Sequence, residues 1–382
     1  MATSACTRKN RFLAACAGDP VDTVPIWLMR QAGRYLPEYQ ATRRKAGDFL
    51  ALCTTPDLAV EVTLQPVHRL GVDAAILFSD ILLPLRAMGM PLTFGDEGPR
   101  LQPLADAAAI DALRVLSPDV LPEVLETVRI LRRELSDVVP LIGFAGAPFT
   151  LLTYAVEGQT GKTFQKTKRL LYCEPALAHR LLNKLTESLI AHLTGQVLAG
   201  AQAVQLFDSW IGVLSTEDYA EFGAPYVEKI LTALRPLGVP LIYFPLGGLA
   251  LLPQVGKLSA DVVSIDWRQP LSVAKAALSS NQGLQGNLEP RLLLGPRAQL
   301  ESRVKQVLRE APRRRYIFNL GHGLTPEIPP AHVEALVEMV HRLGAASDGS
   351  GITADEQLAQ GACEPSSSEG FRQRVQCSSR CQ

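Results

Sequence analysis

The sequence predicts an α/β protein, a single-domain (β/α)8 TIM barrel, on three observations. Eight short apolar runs recur along the chain, helix-periodic stretches lie between them, and polar residues stand at most of the runs' carboxyl ends. The runs are VPIWLM (24–29), AAILFS (74–79), VPLIGFAG (139–146) and AVQLFD (203–208), then VPLIYFP (239–245), VVSIDW (262–267), GLQGNL (283–288) and YIFNLG (316–321). They are continuous instead of alternating, as in strands covered on both faces. An open doubly wound sheet is the alternative, and it fits a count of eight less well.

The helical stretches have their own signals. PEVLETVRILRREL (122–135) places Val124, Val128, Leu131 and Leu135 on one face with charges opposite. AHRLLNKLTESLIAHLTGQVLAG (178–200) is a long apolar-periodic helix before the fourth run. HVEALVEMVHRL (332–343) closes the series, its entry marked by Pro329 and Pro330. The boundaries expected are a short N-terminal extension at 1–9, a catalytic barrel at 10–344 and a disordered tail at 345–382. The tail contains only four residues from Leu, Ile, Val and Phe, too few to offset the entropy of ordering it.

Composition narrows the function. Of 382 residues, 47% are apolar and 20% charged, and Lys plus Arg equals Asp plus Glu at 38 each. Zero formal net charge argues against a whole-surface attraction to nucleic acid or anionic membrane, so an anion site has to be local. MATSACTRKNRFLAACAG at the start has no apolar stretch of signal-peptide length, and no run of about 18 apolar residues occurs. The reading is a soluble, cytoplasmic protein. Seven cysteines without a regular framework fit a reducing compartment, and no CxxC or HxC spacing suggests zinc.

Position then selects candidate residues, because chemistry in such a barrel collects at the strands' carboxyl ends. The first run ends in Arg30, with Arg34 following and Gly33 between them. The second presents Asp80, the third runs through GFAGAPFTLLTY to Tyr154, and the fourth gives Asp208 and Ser209. The sixth ends in Asp266, the seventh carries Asn287, and the eighth ends in GHG, presenting His322. Each has a plainer reading. Arg30 and Arg34 can be a solvated helix start, Asp80 a helix cap and Asp266 a structural carboxylate. Tyr154 can be a half-buried aromatic, and a lone histidine is more often structural than catalytic. Arg313, Arg314 and Arg315 read as a solvated turn.

MRQAGRYLPEY (29–39), FSDIL (78–82), IGFAGAPFTLLTY (142–154), QGNLEP (285–290) and NLGHGL (319–324) resemble the uroporphyrinogen decarboxylase family in order and spacing, from about Asn10 to Leu343. The resemblance implies a cofactor-free, homodimeric barrel enzyme that removes carbon dioxide from the four acetate side chains of uroporphyrinogen III. It carries substrate binding to Arg30, Gln31, Ala32, Gly33, Arg34, Asp80, Tyr154, Ser209 and His322, with Arg30, Arg34 and Asp80 catalytic. On this reading the two arginines gather carboxylates, and Asp80 accepts pyrrole N–H groups and stabilises the cationic intermediate. No metal is implied.

Two positions depart from the family pattern. Leu246 stands in Phe244-Pro245-Leu246-Gly247 where a lysine is common, and Glu289 stands in Asn287-Leu288-Glu289-Pro290 where aspartate is familiar. Two other functions compete. A corrinoid–thiol methyltransferase of the same superfamily would need the zinc-type HxC spacing that is missing. A barrel that binds polyanions without turning them over would differ only in releasing no carbon dioxide. An unrelated barrel with coincidental strand ends leaves the matched segments unexplained.

Overall fold

The computed structural model describes residues 7–345, except 96–97, 105 and 161–162. The tail expected at 345–382 lies, but for Ala345, outside the described residues. Seven strands form one parallel sheet in the order β1-β4-β5-β6-β7-β8-β9. They are β1 (Ala75–Ile76), β4 (Leu141–Gly146), β5 (Ala203–Asp208), β6 (Leu241–Pro245), β7 (Val262–Ser264), β8 (Gly283–Leu288) and β9 (Tyr316–Leu320). β2 (Leu92–Gly95) and β3 (Gly98–Leu101) form a separate antiparallel hairpin, absent from the reading of the sequence.

The eighth place in the barrel belongs to residues 24–29, which close the ring without forming a regular strand. Phe318 N donates to Pro25 O at 2.8 Å on one side, and Asp73 N donates to Ile26 O at 2.7 Å on the other. Pro25 has no N–H to give, and Ile26 N donates to the Asp73 carboxylate at 2.8 Å instead of to a strand carbonyl. Side chains thus replace the backbone ladder. β1 is shorter than expected for a related reason. Leu77 N still donates to Ile142 O at 3.0 Å. Beyond it, Gln196 takes both backbone groups of Phe144, each at 2.9 Å. The chain from Phe78 is released from the ladder to build one side of the site.

Apolar residues pack in two layers. Trp27, Met29, Ala74, Ile142, Ala203, Ile242, Phe244, Val262 and Ile317 fill the barrel interior. Helix α1 (Arg8–Ala17) closes its base with Phe12, Ala15 and Cys16. The second layer lies between strands and outer helices, where α2 (Pro122–Glu134) buries Val124, Leu125, Val128 and Leu131. A polar layer crosses the interior as well. Trp27 Nε1 donates to Gln285 Oε1 at 2.8 Å, and Gln285 Nε2 reaches Gln205 Oε1 and Ser264 Oγ, both at 3.0 Å. All four residues are buried, so each hydrogen bond offsets a desolvation cost that would otherwise stand.

Beneath the barrel, Arg11 bridges Asp22 (Nε to Oδ1, 2.7 Å) and the fully buried Asp73 (Nη1 to Oδ1, 2.5 Å). His341, in the last helix (Pro330–Leu343), meets Asp73 Oδ2 at 2.7 Å. This network ties the two ends of the barrel domain together at the face opposite the candidate site. No described helix is long and apolar enough to cross a membrane.

Candidate active site

Arg30 begins the site. It holds a left-handed backbone, φ 60°, at the point where the chain leaves the barrel wall. Its side chain is exposed, and desolvation by the surrounding protein holds its guanidinium below the ordinary value. The aliphatic part of the side chain lies across Gly323. Gln31 is fully buried and turns inward: Leu28 N donates to its Oε1 at 3.1 Å, and its Nε2 donates to Ala74 O at 3.1 Å. Tyr35 Oη donates to Gln31 O at 2.7 Å. The Gln31 side chain therefore fixes the loop from below, while Ala32 and Gly33 stay partly open and Arg34 is exposed. Neither Arg30 nor Arg34 forms an ion pair with a described residue.

Asp80 faces the same space from the segment that leaves β1. Leu82 N donates to its Oδ1 at 2.8 Å, a local turn two residues long. The short helix that follows (Leu83–Ala87) is capped by Leu82 and takes no side-chain cap, so the plainer reading of Asp80 as a helix cap does not hold. Oδ2 has no partner among the described residues. Burial pushes the Asp80 carboxyl up to about 6, against the Leu82 N–H and the nearby Arg30 charge. Tyr154, on α3 (Pro148–Glu157), is nearly buried, and burial raises its phenol above the ordinary value. His322 is held below its ordinary value by burial, with the Arg30 charge acting the same way. Arg30, Asp80 and Tyr154 thus lie within electrostatic reach of one another, and Arg30 also reaches the turn that carries His322.

Asp208 and Ser209 separate. Asp208 is fully buried, receives Thr150 Oγ1 at 2.7 Å and Tyr243 Oη at 2.9 Å, and has no cationic partner among the described residues. Burial pushes it up to about 6. Thr150 Oγ1 also accepts from Trp210 N at 3.3 Å. Asp208 thus joins α3 to the loop that carries Ser209, whose partly open hydroxyl has no described partner. Asp266 is structural, accepting from Gly247 N at 2.7 Å and from Arg268 N at 2.9 Å. Asn287 is bound to backbone as well, donating to Asp266 O at 3.0 Å and Gln269 O at 2.7 Å. Arg315, expected to be a solvated turn, donates to Cys16 O at 3.0 Å and anchors α1.

The reading of the sequence missed the aromatic surfaces. Phe207 meets Phe144 at 5.7 Å and Phe244 at 6.1 Å, both edge to face, and is itself partly open. Trp210 packs on Tyr154 at 5.9 Å and on Phe164 at 5.3 Å. Phe207 sits one residue before Asp208 in FDS, so its place at a strand end was the available signal. Leu246 packs into the barrel interior, and Glu289 Oε1 accepts from Arg291 N at 3.4 Å, so neither departure removes a residue from this cluster.

The fold is a parallel barrel, and Arg30, Asp80, Tyr154 and His322 stand after its strands. The chain belongs to the uroporphyrinogen decarboxylase family, whose sequence profile, Uroporphyrinogen decarboxylase (URO-D), matches residues 7–343. It is 51% identical over 334 residues to the uroporphyrinogen decarboxylase of Syntrophotalea carbinolica, covering 87% of this chain and 97% of that one. The enzyme of the same name from Myxococcus xanthus is 50% identical over 339 residues, covering 88% and 97%. Among solved structures, a methyltransferase from Methanosarcina mazei superposes with a TM-score of 0.74 at 21% identity, over 88% of this chain and 99% of that one. At that identity the likeness concerns the fold alone.

Proposed function

We propose that this chain decarboxylates the four acetate side chains of uroporphyrinogen III, giving coproporphyrinogen III, and that Arg30, Arg34 and Asp80 carry the reaction. The observation that supports it best is that Arg30, which like Arg34 has no ion-pair partner among the described residues, lies within electrostatic reach of Asp80, whose Oδ2 has no hydrogen-bond partner among them. A guanidinium meets a carboxylate through two N–H groups and keeps its charge. The substrate brings eight carboxylates and four pyrrole N–H groups, which complement those two elements.

The chemistry needs a place for the electrons of the breaking carbon–carboxylate bond. Protonating the pyrrole carbon beside the acetate-bearing position makes a cation. The bond to the carboxylate breaks, its electrons enter that cation, and carbon dioxide leaves. A proton then adds to the resulting methylene carbon, giving methyl, and the ring proton is lost. One proton replaces each carbon dioxide released. Arg30, beside Asp80, holds and polarises the reacting acetate, while Arg34 at the rim holds another carboxylate. Ionised Asp80 accepts pyrrole N–H groups and stabilises the cation, where fixed charge acts most strongly. Tyr154, Ser209 and neutral His322 hydrogen-bond the remaining carboxylates, and Ala32 and Gly33 line the approach. Catalysis without a metal or cofactor, a homodimeric state and a cytoplasmic location belong to the same reading, on the strength of the family resemblance.

Identity near 50% over almost the whole length favours decarboxylation over methyl transfer, which rests on a 21% likeness of fold. Anaerobic incubation with uroporphyrinogen III, with and without a chelator, tests the reading. Loss of four carboxyl groups per substrate, unchanged by chelation, is expected. Binding without carbon dioxide release would leave a polyanion-binding barrel instead.

A further inference from the structure

Trp267 and Arg268 follow β7 and stand against the Gly321–His322–Gly323 turn. A Cβ atom at Gly321 would lie 2.4 Å from Trp267 N, so these two strand ends are in close backbone contact. The Trp267 ring meets His322 nearly perpendicular, with centroids 6.3 Å apart. The Arg268 guanidinium lies over the same indole, 4.4 Å from its centroid. Asp266 holds it from another side, Oδ2 accepting from Nη1 at 2.9 Å while Oδ1 accepts from the Arg268 backbone N at 2.9 Å. The Asp266 side chain is 8% exposed and that of Arg268 50%.

Arg268 is therefore clamped at its ring face and at one nitrogen, with half its surface open. Its Nε and Nη2 have no partner among the described residues. An arginine held this way loses little further freedom when it takes a carboxylate, which favours binding. His322 also feels it: burial first, then Arg30 and Arg268 among the nearby charges, keeps the imidazole below its ordinary value.

We propose that Arg268 is a further substrate-binding residue, taking one peripheral carboxylate of the macrocycle on the Trp267–His322 side of the cleft. This rests on the carboxylate-rich substrate proposed above. The competing role is local: Arg268 would serve only to neutralise Asp266. A single substitution does not separate the two roles, and a double substitution does.

Steady-state turnover of uroporphyrinogen III is compared for the wild type, Arg268→Gln, Arg268→Lys and Arg268→Gln with Asp266→Asn. Arg268→Gln is expected to raise KM about tenfold with kcat within about twofold, the signature of binding shared by ground and transition states. Lysine, which keeps the charge without the fork, should fall between. The double variant, with no buried charge left to neutralise, should keep the raised KM, and added salt should narrow its difference from wild type. Wild-type KM in Arg268→Gln, or its return in the double variant, overturns the proposal. Inactivity of the wild type would instead overturn the decarboxylase reading, so the two failures are distinguishable.

Discussion

A Cβ atom on Gly323 would stand 2.4 Å from Cδ of Arg30 and 2.6 Å from its Cγ. The glycine after His322 thus leaves the space through which the Arg30 side chain enters the cleft. Gly323 does not have a left-handed backbone, so alanine there adds the clash and little else. Gly323→Ala should lower kcat/KM at least about tenfold by displacing Arg30, since small misplacements at a reacting centre are costly. The melting temperature should stay within a few degrees of wild type. Kinetics and a thermal scan on the same preparation check both statements.

The pH profile of kcat/KM should carry an acid limb near pH 6. Burial raises Asp80 to about 6, and the ionised form is the one assigned to stabilising the cation. Activity should therefore fall as pH drops through that value, since this profile reports the free enzyme's essential groups. A profile flat down to pH 5 would remove Asp80 from the role.

Asp208 gives a prediction about stability. Its carboxyl is raised to about 6 in the fold, from an ordinary 3.8, because it is buried. The folded state then binds the proton more tightly than the unfolded chain does. Ionisation consequently costs stability above about pH 6, and that cost fades as pH falls towards 3.8. Asp208→Asn should raise the melting temperature at pH 7.5 and lose this advantage by about pH 4. Loss of stability at pH 7.5 would mean that the Thr150 and Tyr243 hydrogen bonds outweigh the burial of the charge.

Phe12 tests the base of the barrel. It is fully buried and packs with Trp27, Ile142 and Ile317. Phe12→Ala should cost about 3–5 kcal/mol, the usual range for such a truncation, measured by denaturant unfolding. Activity per folded molecule should persist, because the site lies at the opposite face.

How far the sequence disclosed all this depends on what each element answers to. β4, β5, β6, β8 and β9 were legible because strands covered on both faces read as unbroken apolar runs. Residues 24–29 read the same way, but regular pairing there is decided by Pro25 and by the distant Asp73 carboxylate. β1 stops at Ile76 because Gln196, more than a hundred residues away in sequence, takes over the Phe144 backbone. The β2–β3 hairpin is short and largely open to solvent, so its segments carry little apolar pattern. For the proposed site, strand-end position suggested Arg30, Arg34, Asp80, Tyr154, Ser209 and His322 as candidates. It did not reveal that the Asp208 side chain turns towards Thr150 and Tyr243 or that Phe207 packs edge to face on Phe144 and Phe244. Those orientations depend on packing partners elsewhere in the chain.

The central claim is that Asp80 stabilises a cationic intermediate and is not merely a contact for the substrate. The most direct test is anaerobic turnover of uroporphyrinogen III by wild type and Asp80→Asn, with binding measured alongside by quenching of tryptophan fluorescence with the oxidised porphyrin. The account predicts a fall in turnover of about 10²–10³-fold, as for loss of a preorganised electrostatic group, with binding changed less than about threefold. Full turnover by Asp80→Asn, or a loss explained entirely by weaker binding, would contradict it.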